Sequence, residues 1–293
     1  MPNALSLRSK AVGGPVAEAV VELTPPYPQG RRRAVLLVHG FNVTEAAARA
    51  SYDTLTAQLK ALGPATGALV ADLGGVYWPG DADLGLLSAA SYPFEIGPAR
   101  DTALRLAEYL ETVEGPGGTP TEVYLVAHSL GARVTLELLT CLAGAAAGSA
   151  WMRGACLMAA AVPVGMVDAG GLLVAGTLLP ARTLVLYSRS DLVLHWAFPL
   201  GETLAGEGFF PSAVGRRGDP SSRWTDEEEL LGDDHGDYWG DPRTAVRVAR
   251  FLGVPVPAEL PSLAPVSRPL PDVSPLPTAT IAARDLPART VGA

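Results

Sequence analysis

An apolar run, Val123-Tyr124-Leu125-Val126, leads straight into Ala127-His128-Ser129-Leu130-Gly131 and then into a segment with helical periodicity. A serine hydroxyl attacks poorly until a base takes its proton, and strand, tight turn, helix is the setting that lifts such a hydroxyl above a sheet, within reach of a base. The turn is so sharp that the residues two before and two after the serine must be small, and Ala127 and Gly131 meet that need. The same geometry puts the backbone N–H of Leu130 at a helix N-terminus, where negative charge developing on an acyl oxygen is favoured. Ser129 is thus the candidate nucleophile and Leu130 a candidate oxyanion donor.

The rest of the chain supplies elements to hold such a turn. Apolar runs at 19–23, 34–38, 75–78, 123–127, 154–160 and 183–187 alternate with helix-compatible segments at 45–62, 98–113, 130–142 and 241–252, the last opened by Asp241-Pro242 and stopped by Gly253. Apolar strands alternating with helices predict an α/β fold, a mostly parallel central sheet with helices on both faces. Residues 1–30 are expected to add an edge strand, 31–253 to form the main domain, and 254–293, punctuated by nine prolines from Pro255 to Pro287, to form an extended tail. The stretches around 84–96 and 199–234 lack clear alternation and are expected to be lid segments over the site.

The serine turn resembles the G-x-S-x-G motif of the α/β-hydrolase superfamily, in particular its lipase- and esterase-like members, with Ala127 in place of the first Gly. The resemblance extends upstream, where Ala34-Val-Leu-Leu-Val-His39-Gly40-Phe41 is similar to the superfamily's oxyanion loop. It implies that the Phe41 N–H joins Leu130 in the oxyanion hole, with Asn42 the second choice and His39 holding the loop. Downstream, Thr183-Leu-Val-Leu-Tyr187-Ser-Arg-Ser-Asp191 looks like the strand and turn that carry the family's acid; Asp168, deeper in a Gly-rich loop, competes with Asp191 for that place. The family's chain order of Ser, Asp, His leaves His195 and His235, and His195 is too near Asp191 to reach both partners. His235, just ahead of the last helix, stands where the family places its base, and His128 reads as a flank residue that packs or hydrogen-bonds.

Together these imply a Ser129–His235–Asp191 triad that cleaves a carboxylic ester or related acyl bond through an acyl-enzyme, with a small-molecule or lipid-like acyl substrate and no cofactor. The alternative is a domain of the same fold that binds or scaffolds without catalysis. The acids around His235, from Asp226 to Asp241, favour its charged form, so most of them are expected to point into solvent; Asp233, Asp234, Asp237 and Asp241 also offer oxygen ligands for a calcium ion, though their spacing matches no EF-hand, and no metal is expected. Trp78, Tyr92, Phe94, Trp196, Phe198, Phe209 and Phe210 are available to line an apolar acyl site.

Composition excludes other classes. A net charge of −8, with Arg31-Arg32-Arg33 as the longest basic run, argues against nucleic acid. No apolar stretch is long enough to span a bilayer, the first ten residues lack a secretory apolar run, and a cytoplasmic location is expected. Cys141 and Cys156 both sit in apolar surroundings and read as small core residues.

Overall fold

The computed structural model of the chain describes residues 3–9, 15–22, 27–80, 88–144, 151–206, 208–218 and 223–257. Eight strands form one sheet: β1 (Asn3–Arg8), β2 (Val16–Glu22), β3 (Arg33–Val38), β4 (Leu73–Tyr77), β5 (Glu122–His128), β6 (Met152–Met158), β7 (Arg182–Tyr187) and β8 (Asp226–Glu229). Their order is β2-β1-β4-β3-β5-β6-β7-β8, and only the β1–β2 pair is antiparallel. The helices are α1 (Glu45–Ala61), α2 (Pro64–Leu69), α3 (Ser88–Glu111), α4 (Leu130–Gly144), α5 (Val164–Val167), α6 (Val174–Leu178), α7 (Phe198–Ala205), α8 (Val214–Arg217) and α9 (Pro242–Phe251). The expected α/β class, a mostly parallel sheet with helices on both faces, is what the chain adopts.

Sheet order explains the two helix layers. From β3 the chain steps outward to β4, then returns past β3 to β5 and continues to β8. Right-handed crossovers made in opposite directions put their helices on opposite faces. Accordingly α1 packs with α9, while α3 packs with α4 and α4 with α6. Central strands covered on both faces must be apolar throughout, and Ala34–Val38, Leu125–Ala127 and Ala155–Met158 are all buried. Local signals set several ends. Thr44 caps α1 by accepting from the Ala47 N–H, and Asp241 caps α9 by accepting from the Arg243 N–H, with Pro242 in the first turn.

Four features depart from the sequence reading. The N-terminal segment supplies two strands, not one, and β1 lies inside the sheet between β2 and β4. Helix α3 begins ten residues before the expected start at 98, running through Pro93, Gly97 and Pro98, residues that read as breakers because each removes or weakens helical hydrogen bonding. The stretch 199–234 is not one long loop; it contains α7, α8 and β8. β8, the acidic Asp226-Glu-Glu-Glu229, is a parallel edge strand beside β7, where exposed charge discourages pairing with another sheet. Of the two expected lid segments, 81–87 lies outside the described residues, 88–96 opens α3, and α3 packs against α7. The expected tail lies outside the described residues from 258 onward, whereas Val254 and Val256 pack against the core. Cys156 is buried as expected, but Cys141 is exposed on α4. Among the described residues no helix is long and apolar enough to cross a membrane.

Candidate active site

The chain reverses its direction across the sheet at β3, so the carboxyl ends of β3 and its neighbour β5 feed helices on opposite faces and leave a crevice between them. His39-Gly40-Phe41 leaves β3 at this crevice and Ser129 leaves β5 there. The two loops are pressed together: a Cβ on Gly40 would stand 2.7 Å from the Ser129 Cβ, and one on Gly131 would stand 2.6 Å from the Val38 carbonyl oxygen and closer still to that of His39. Gly40 and Gly131 are therefore requirements of backbone approach. Ala in place of Gly within a helix ordinarily stabilises by about 0.5–1 kcal/mol. At position 131 that gain is set against overpacking on rigid backbone, which costs about 1–3 kcal/mol. Gly131→Ala is expected to lower the melting temperature, and a variant that melts at or above the wild type would show that the β3 loop yields freely.

Ser129 itself carries strain. Its φ is +55°, in the left-handed region that non-glycine residues avoid, as a sharp strand-to-helix turn demands. The turn is pinned by the Ser129 N–H donating to Met158 O at 3.0 Å and by Ser129 O accepting from the Ala161 N–H at 3.1 Å.

The structure brings Ser129, His235 and Asp191 together. Ser129 Oγ lies 2.8 Å from His235 Nε2, and His235 Nδ1 lies 2.7 Å from Asp191 Oδ2. Asp191 is fully buried, and its Oδ1 accepts the Leu194 N–H at 2.9 Å, so both carboxylate oxygens are committed. A carboxylate can only accept, so Nδ1 carries the imidazole proton and Nε2 presents its lone pair to the serine hydroxyl. Asp168 has no such place; its Oδ1 accepts the neighbouring Ala169 N–H. The His195 ring packs on Trp196.

Two histidines near these three residues, His39 and His128, are held neutral. His39 is buried, stacks on Trp78 at 5.5 Å, accepts the Trp78 N–H at Nε2 and donates from Nδ1 to Gly40 O, while the Trp78 indole N–H donates to His39 O. Burial lowers its pKa to about 4, consistent with an unprotonated Nε2. Its role is to fix the loop that carries Gly40 and Phe41, and Trp78 is its fully buried platform, not a wall of an acyl site. His128, immediately before Ser129, lies with Nε2 2.7 Å from the backbone oxygen of His235, and burial, aided by the nearby His235, lowers its pKa to about 3.

As for the expected oxyanion donors, Leu130 is the first residue of α4, where N–H groups have no intrahelical acceptor, and Phe41 follows the glycine that abuts Ser129. The Asn42 side chain is exposed while its N–H donates to Gly80 O. Of the remaining aromatic candidates, Phe198 is buried and Trp196, Phe209 and Phe210 are exposed; the side chains of Tyr92 and Phe94 lie outside the described ones.

The acids near His235 divide in a way the sequence reading misses. Asp233 and Asp241 are buried, not solvated, and both bond the Arg243 guanidinium. Burial and the adjacent Asp241 raise the pKa of Asp233. Asp234 Oδ1 accepts the His235 N–H, Asp237 Oδ2 accepts the Asp234 N–H, and Ser188 Oγ donates to Asp233 O at 2.6 Å. These side chains brace the histidine loop, and among the described residues no group of three or more His, Cys, Asp or Glu is placed to hold a metal ion. The sequence signal that could have found this brace is Arg243, two residues after the capping acid Asp241.

No protein-family model and no curated protein matches the chain. Solved structures similar to it include SOBER1 of Arabidopsis thaliana, at 11% identity over 75% of this chain and 98% of that one with a TM-score of 0.39. TT1662 of Thermus thermophilus is 14% identical over 86% and 98% of the two chains, with a TM-score of 0.39. Acyl-protein thioesterase 2 of Zea mays is 14% identical over 78% and 95%, with a TM-score of 0.40. In its own architecture the chain has the α/β-hydrolase fold: a mostly parallel sheet, a strained serine turn between a central strand and its helix, and an acid and a histidine following later strands in that order. The chemistry has to follow from the geometry of the site itself.

Proposed function

We propose that the protein is a serine hydrolase that cleaves a carboxylic ester or related acyl bond. The observation that carries this reading is the unbroken hydrogen-bonded line from Ser129 Oγ through the His235 ring to the buried Asp191 carboxylate, at 2.8 and 2.7 Å, on a serine held at positive φ. In the reaction Ser129 Oγ attacks the acyl carbon as its proton passes to His235 Nε2, and Asp191 stabilises the imidazolium through Nδ1–H. The N–H groups of Phe41 and Leu130 receive the oxyanion, each worth about 2.7–4 kcal/mol in the transition state. His235 then returns the proton to the leaving alkoxide or equivalent group, the carbon–leaving-group bond breaks, and water repeats the cycle on the acyl-enzyme.

A fluorophosphonate probe tests the proposal without knowledge of the substrate. The folded protein is expected to gain the mass of one phosphonyl adduct, mapped to Ser129, and to hydrolyse p-nitrophenyl acetate with a burst of one equivalent where deacylation is slow. If the protein stays unlabelled under conditions that label a control esterase, the binding or scaffolding reading takes its place.

A further inference from the structure

We propose that His128 is a positioning residue for the base: its Nε2–H grips the backbone carbonyl of His235, so the strand that carries the nucleophile also fixes where the base stands. The inference rests on reading Ser129, His235 and Asp191 as a triad. Its footing is geometric. His128 is the last residue of β5, one position before Ser129. Nε2 lies 2.7 Å from His235 O, and a carbonyl oxygen only accepts, so the ring nitrogen donates. The ring is buried and flanked by His235 at 5.0 Å, Tyr238 at 5.8 Å and Trp239 at 5.9 Å, which leaves it little freedom to rotate away.

The bond completes the fixing of His235. Its N–H is held by Asp234 Oδ1 at 2.8 Å, its Nδ1 by Asp191 at 2.7 Å, and its carbonyl by His128. The first two partners belong to the two loops that bring acid and base; the third, beside the Nε2–Ser129 Oγ contact itself, ties the His235 backbone to the nucleophile's own strand. The ionisable groups acting on His128 are His235, Asp191 and His39, and burial keeps its ring neutral. A neutral donor grips the carbonyl without adding a second positive charge beside the imidazolium that forms on His235 in each half-reaction. His128 Nε2 cannot act as a second base, because the nitrogen that donates to the carbonyl has no lone pair to offer.

The wild type provides one test that needs no variant. Nitrogen-15 NMR of the imidazoles is expected to show His128 as the Nε2–H tautomer, neutral from pH 5 to 8; an Nδ1–H tautomer or a charged ring in that range overturns the clamp. Three variants supply the second test. His128→Phe keeps a ring and loses the donor, His128→Asn draws the amide back from the carbonyl, and His128→Gln places an amide N–H near the position of Nε2. Misplacing a reacting group by about 1 Å can cost on the order of 100-fold. The Phe and Asn variants are therefore expected to lose about 10- to 100-fold in kcat and in fluorophosphonate labelling rate with KM within threefold, and Gln to recover to within about fivefold of wild type. A Phe or Asn variant with wild-type kcat, or a Gln variant as impaired as the other two, rejects the proposal. Failure of the triad itself reads differently: the wild type then goes unlabelled, whereas failure of the clamp alone leaves wild type and variants labelled alike.

Discussion

Ser129→Ala is expected to reduce hydrolysis of any good acyl substrate by on the order of 10⁶ in kcat, leaving the slow residual reaction that the oxyanion donors and binding support. In the proposed reaction the hydroxyl and the imidazole form one device: without Oγ there is nothing for His235 Nε2 to deprotonate, and without Nε2 the hydroxyl does not ionise near neutral pH. His235→Ala should therefore cost about as much, and the Ser129→Ala/His235→Ala double variant should be no worse than either single one. Independent contributions would instead multiply. Stability is expected to move by about 1 kcal/mol or less in Ser129→Ala, since the change removes one hydroxyl from a partner that is itself 17% exposed and open to water. Thermal melts alongside single-turnover assays separate the two effects. A Ser129→Ala variant that keeps more than a few percent of activity, or single losses that multiply in the double variant, would take the nucleophile's role away from this residue.

The distribution of what could be read from sequence has a physical cause. β5, the serine turn and α9 were legible because their signals are local: an unbroken apolar run, small residues on either side of the serine, and Asp241-Pro242 at a helix start. His235 and Asp191 were reachable because chain order in this fold restricts the choices, and the structure places both within hydrogen-bond reach along the expected line. β8 was hidden because an edge strand needs no apolar face, and four acids in a row look like a solvated loop. The start of α3 was hidden because Pro93, Gly97 and Pro98 carry poor helix propensity, yet the helix runs through all three. Least legible were the contacts across long sequence separations. Nothing in the local sequence says that Gly40 abuts Ser129, that His128 reaches the His235 carbonyl, or that Arg243 neutralises a buried Asp233. A solvated acidic cluster and a buried, braced one have the same composition; only the partner distinguishes them.

Acid is expected to unfold the protein over a window set by its two buried neutral histidines. His39 and His128 are 1% and 7% exposed, and burial holds their pKa values at about 4 and about 3, against about 6.5 in an unfolded chain. Between those limits the unfolded state binds protons that the folded state refuses, so stability is complete above pH 6.5 and declines as pH falls towards 4. Linkage makes the loss on the order of 3 kcal/mol for His39 and somewhat more for His128, against a typical total of about 5–15 kcal/mol. Asp233 acts in the opposite direction, because its raised pKa lets the folded state take up a proton first, but it is one carboxyl set against two imidazoles. Two imidazoles outweigh it. Urea titrations at pH 8, 7, 6, 5 and 4.5 should show a level midpoint down to about pH 6.5 and then a steady fall, and a midpoint unchanged at pH 4.5 would mean that one or both rings are charged in the folded protein. The site should fail in the same window as the fold. A proton on His39 Nε2 removes the acceptor of the Trp78 N–H, and with that bond lost the loop carrying Gly40 and Phe41 is no longer fixed against Ser129, so loss of acyl transfer and loss of structure share one titration.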